Sequence, residues 1–141
     1  MNRDVLLLRP LARFTDFSLL ALRLLAGAFL VHGVWDNVVS RERMAEFTGF
    51  LAANAFPAPA VMAALAVYAQ LSIGVALIVG LLTRLAGLLL ALTFVVAVAM
   101  VHWHQTFREI WPAAVLVTLG LIFATIGAGR FSMDAMMERR P

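Results

Sequence analysis

The chain has 141 residues, of which 63% are hydrophobic and only 13% charged. Soluble domains run nearer roughly 45–50% apolar and about 25% charged, so in water this chain would expose apolar patches far beyond what soluble monomers tolerate. Every basic residue behind the net charge of +3 is arginine, and the excess sits at the chain ends, which reads as membrane orientation rather than a nucleic-acid footprint. The absence of cysteine excludes a disulfide framework, iron–sulfur ligation and a thiol relay by this chain alone.

Residues 1–16 carry Arg3, Arg9 and Arg13 around a short apolar patch that Pro10 interrupts. The patch is too short to span, so an interfacial, cytoplasmic N-terminal segment is expected. A removable signal peptide fits poorly, because the apolar segment that follows is too long and lacks a small-x-small exit. The first span covers 17–39 and holds Arg23, His32 and Asp36. Residues 40–56 are more polar, and Met44, Phe47 and Leu51 recur at i, i+3 and i+7. That period predicts a short helix lying in the interface, ended by Pro57 and Pro59.

Two charge-free runs, 60–79 and 85–101, meet at 80–84. A helix needs about 20 apolar residues to cross hydrocarbon, and the junction is too short to cross it again. The runs are therefore antiparallel neighbours, spans 60–81 and 84–103. Gly80 suits a helix C-terminus, Thr83 can cap the next helix, and Arg84 sits at headgroup level. A polar loop at 105–110 precedes a fourth span, 111–128, with Trp103 and Trp111 as aromatic anchors. Gly127 and Gly129 close it, and 130–141 is read as a polar cytoplasmic tail.

The expected fold is an all-α membrane protein, a bundle of four transmembrane helices forming one domain over 17–129. Both termini fall on one side, shared by Arg3, Arg9, Arg13, Arg84, Arg130, Arg139 and Arg140, whereas Arg41, Arg43 and Arg108 lie opposite. The arginine bias makes that side cytoplasmic, an N-in/C-in topology. Gly27, Gly74, Gly87 and Gly120, with their alanine neighbours, permit close helix contact.

The polar residues inside the spans are the candidate site, because ionisable groups in hydrocarbon are expensive. His32 and Asp36 form an i, i+4 pair near the outer end of the first span, and His102 and His104 mark the outer end of the third. At i, i+2 the last two point about 200° apart on a helix. Gln70, near the centre of the second span, needs a partner: another helix or a ligand such as a quinone carbonyl. Arg23 and Arg84 are read as contacts for anionic headgroups, Arg23 by snorkelling, with an ion pair or an anionic headgroup at a helix junction as its alternative. Three histidines and an aspartate could suit zinc, copper, iron or haem, but no ligand spacing accompanies them, which argues against a metal or haem. The seven methionines form no copper-type array and read as packing. There is no Gly-x-Ser-x-Gly, P-loop or dinucleotide fingerprint, so no self-contained catalytic motif. A lipid or quinone slot between helices remains open.

The pieces Leu22-Arg23-Leu24, Gly27 and Phe29-Leu30-Val31-His32-Gly33, then Gly74 and Gly80-Leu81-Leu82-Thr83-Arg84-Leu85-Ala86, then Gly129-Arg130-Phe131-Ser132-Met133-Asp134, together resemble the DoxX family of small four-helix membrane proteins. The likeness covers about 17–134. It implies a multi-pass protein of a bacterial or archaeal cytoplasmic (inner) membrane, related to a subunit of a thiosulfate:quinone oxidoreductase and to redox or oxidative-stress complexes. Many relatives carry Glu where this chain has Gln70, and Lys where it has Trp35-Asp36.

Two readings follow. In one the chain is a redox-linked accessory subunit or quinone-interacting component of a membrane oxidoreductase. His32 and Asp36, helped by Gln70, would contact the quinone headgroup or relay a proton, while a partner protein supplies the redox cofactor. In the other it is a non-enzymatic scaffold, lipid binder or carrier whose polar residues knit the helices. Membrane lipid is the partner in either case, nucleic acid in neither, and homo- or hetero-oligomers suit both. A transporter fits less well, since transporters usually have more spans and broken helices.

Overall fold

The computed structural model describes residues 8–103 and 105–138, and all regular structure among them is helical. A 3₁₀ turn at Arg9–Phe14 passes directly into α1 (Thr15–Val39). Ser40 takes an extended conformation and its hydroxyl accepts from the Arg43 N–H at 3.3 Å, so one residue both stops α1 and caps α2 (Arg41–Ala53). Left-handed Ala55 and Ala58 turn the chain, and Pro59, which has no N–H to lose, occupies the first turn of α3 (Pro59–Val79). Gly80, at φ 74°, ends α3, with the Gly80 and Leu81 N–H groups both on the Ala76 carbonyl. Then come α4 (Thr83–Ala97), a π-helical stretch at Val98–His102, α5 (Phe107–Ile126) and a short α6 (Met133–Glu138).

Four helical segments, Arg9–Val39, Pro59–Val79, Thr83–Val101 and Phe107–Ile126, are long and apolar enough to cross a membrane. Large side chains such as Leu25, Val61 and Phe107 point outward (71%, 62% and 74% exposed), a surface that suits lipid and not water. The chain is a multi-pass helical membrane protein. Two boundaries differ from expectation. The fourth helix starts at Phe107 instead of 111, because Thr106 and Glu109 form a reciprocal capping box that makes Arg108 and Glu109 first-turn residues. The polar stretch from Arg130, read from sequence as a tail, folds back across the bundle end over residues 130–138.

The helices associate as two tight antiparallel pairs, α1 with α3 and α4 with α5, and the seam between α3 and α4 is looser. Glycine sets both tight pairs. A Cβ on Gly27 would lie 2.6 Å from the Gly74 carbonyl oxygen, and one on Gly74 would lie 2.9 Å from that of Gly27. Gly87 and Gly120 repeat the arrangement, each 2.6 Å from the other's oxygen. Backbones this close gain dispersion contact that larger residues would prevent, which matters where lipid offers no hydrophobic drive between helices. Ala26, Leu30, Leu77, Leu90 and Phe123 fill the space between the pairs. Helix α2 rests on α3 and α1 with Met44, Phe47 and Leu51 turned inward, as their spacing required.

Substituting Gly87→Val or Gly120→Val should therefore destabilise the bundle by about 1–3 kcal/mol, the usual range for overpacking. Gly49→Ala, where a Cβ meets nothing within 4 Å, should be neutral or slightly stabilising. Thermal unfolding in detergent checks both.

Candidate functional site

Arg23 is only 1% exposed, the largest fully buried side chain among the described residues. It does not snorkel to headgroups, which corrects the sequence expectation. Its Nη1 donates to the Leu77 carbonyl at 3.3 Å and its Nη2 to the Phe131 carbonyl at 2.5 Å. The reason is geometric: α3 ends beside it and leaves carbonyls with no helical partner, and the segment after α5 supplies another. Gly80 must lack a side chain here, since a Cβ would collide with Arg23 Nη1 and lie 2.7 Å from Ser132 Cβ.

Asp134 completes the knot. Its N–H donates to the Gly80 carbonyl at 3.0 Å, and its carboxylate accepts from the N–H groups of Leu82 (2.7 Å) and Thr83 (2.9 Å). This carboxylate is the N-terminal cap of α4, brought from 51 residues away in sequence. Thr83, expected to cap that helix, is fully buried and its hydroxyl has no partner among the described residues. The Ser132 hydroxyl donates to the Gly129 carbonyl and accepts from Ala135 N–H, and Asp16 accepts from Arg130 N–H at 3.0 Å. Arg84 donates to the Thr125 carbonyl at 2.5 Å and to that of Ala124 at 3.2 Å, closing the end of α5. Arg84 stays exposed, on the rim of an open cleft of about 660 Å³.

The second feature is an apolar cleft of about 460 Å³ between α2, α3 and α4. Phe47, Phe50 and Leu51 form its α2 wall, with Leu92 and Val96 from α4 opposite. Phe47 and Phe50 stack at 6.4 Å between centroids. Two polar side chains reach this cleft. The Thr93 hydroxyl donates back to the Leu89 carbonyl at 2.8 Å, whereas the Gln70 amide has no hydrogen-bond partner among the described residues. No lining residue is titratable. The cleft can hold a molecule and hydrogen-bond it, but it has no group to donate or remove a proton.

The candidate polar residues are dispersed. His32 and Asp36 are both exposed on α1 and make no hydrogen bond to each other. Neither lines the Gln70 cleft. Asp36 borders a polar crevice of about 420 Å³ with Asn37, Arg43 and Glu46. His102 is described by its backbone alone, at the end of the π-helical stretch, and His104 lies outside the described residues. Among the described residues no three metal-ligating side chains come together. Sequence reading missed the α2 wall as part of a site, although the i, i+3, i+7 stripe of Met44, Phe47 and Leu51 was the signal for it. It also missed Asp134, whose role depends on a contact between distant segments.

The sequence model of the DoxX family matches residues 18–103. No curated protein and no solved structure matches. The matched region holds Arg23, Gln70 and the 80–84 turn, while Phe131 and Asp134 lie beyond it.

Removing the borrowed cap by Asp134→Ala should lower stability by about 1–2 kcal/mol. Gly80→Ala should also destabilise, and the double variant should lose less than the sum because both loosen one turn. Glu138→Ala, exposed and outside the knot, should melt like the parent.

Proposed function

Because the chain belongs to the DoxX family of membrane proteins, we propose that it is a ligand-holding accessory of a membrane oxidoreductase system, binding a lipid-soluble quinone in the Gln70 cleft. The observation that carries this is an apolar slot whose one uncommitted polar group is a carboxamide. Such a slot pairs burial of a ring and an isoprenoid tail with one directional contact that fixes orientation. Gln70 Nε2 would donate to a quinone carbonyl, and the Phe47 and Phe50 rings offer an aromatic wall. With no titratable lining group, the cleft holds the quinone while a partner protein supplies the redox cofactor and the protons. On this reading the Arg23 end faces the cytoplasm of a bacterial or archaeal cell, following the arginine excess there, and α2 lies along the opposite membrane surface.

One observation favours a second reading, a scaffold or lipid binder. The most heavily hydrogen-bonded side chains near the chain's corner, Arg84, Arg23 and Asp134, all serve to hold helix ends together. A phospholipid ester carbonyl could equally meet Gln70.

Quinone binding to the purified protein in nanodiscs separates the two. Gln70→Leu should weaken it about 5- to 10-fold, the worth of one hydrogen bond. His32→Ala should leave it unchanged, since His32 is outside the cleft. Mass spectrometry that finds phospholipid in the cleft, with no quinone binding at all, would replace the first reading by the second.

A further inference from the structure

The placement of His32 is unexplained by either feature above. Gly27 faces Gly74 and Arg23 reaches Leu77, so the antiparallel register of α1 and α3 sets His32 level with the stretch around Gln70. That level is about 16 Å from the Pro59 end of α3, near the middle of that span and not at the outer end that the sequence suggested. At this depth His32 is exposed and has no hydrogen bond among the described residues. The polar crevice beside Asp36 does not extend to it. An imidazole at mid-depth facing hydrocarbon is costly, and such groups face a protein or a water-filled cavity almost without exception.

The same outward stripe of α1 carries Ala21, Leu25, Ala28 and Asp36, all exposed. A hollow of about 370 Å³ adjoins it, bordered by Ala28, Val31, His32, Trp35, Asp36 and Ile78. The stripe thus presents one donor and one acceptor a helical turn apart, with the small Ala28 on one side and the exposed Trp35 beside them.

We infer that this face of α1 is the contact surface for a second copy of the chain, with His32 of each copy hydrogen-bonded to Asp36 of the other. A two-fold axis along the membrane normal sets two α1 helices side by side in parallel, and such an interface must be self-complementary. Each imidazole then spans the axial offset of about 6 Å between position 32 of one copy and position 36 of the other. One symmetric contact satisfies both groups in both copies. This holds whatever occupies the Gln70 cleft.

The chain has no cysteine, so single reporters can be introduced without background. Oxidative cross-linking of the full-length protein in membranes should give a dimer with Leu25→Cys and none with Leu121→Cys, which lies exposed on α5. Adding His32→Asp or Asp36→His to the reporter should lower dimer formation roughly tenfold, from the loss of two interhelical bonds. The double swap His32→Asp/Asp36→His restores the reciprocal pair and should restore the dimer, a rescue that misfolding of the single variants would not give. Absence of a Leu25→Cys dimer, a product with a different protein only, or a dimer indifferent to all three variants would overturn the inference.

Discussion

Hydrocarbon supplies no water to a carbonyl that has lost its helical partner, so wherever a membrane helix ends inside the bundle the protein must provide the missing donor. Arg23 provides it here. Its guanidinium sits where α3 stops and where the segment after α5 returns, and it donates to both. The geometry of that end follows from this choice. Gly80 has room only for a hydrogen, the turn takes a left-handed path, and α4 begins without a capping side chain of its own, which Asp134 supplies from the far end of the chain. A buried cation without such partners would be severely unfavourable, so the arginine and its acceptors stand or fall together.

The fold was legible in the sequence because its signals are local. Two uncharged runs meeting at a short glycine-bearing corner leave no choice but antiparallel helices, and the glycines marked the close contacts between them. The α2 stripe was legible for the same reason. What failed was anything requiring knowledge of which segments meet. Arg23 in a long apolar run looks like a snorkelling residue until the neighbouring helix end is known. Asp134 looks like part of a polar tail until it is seen against the Leu82 and Thr83 N–H groups. The polar loop before the fourth span misled by composition, since the charge of Glu109 reflected a capping contact and not an unstructured stretch.

The dispersal of the polar candidates changes how the chemistry is divided. His32 and Gln70 share a depth but open onto different surroundings, one toward the outside of the bundle and one into a slot between helices. The single set of groups expected from the sequence separates into an internal amide suited to holding a ligand and an external pair suited to recognition. The family likeness speaks to architecture more than to reaction.

The pairing of helices also has a mechanical consequence. Each glycine-locked pair forms a plank that resists shear, because sliding one member over the other would break backbone contacts along its length. The planks join through the corner at 80–84 and through the looser seam of α3 with α4, and that seam is the floor of the Gln70 slot. Compliance is concentrated there. Splaying the two planks about the knotted end would widen the slot and leave every close glycine crossing intact.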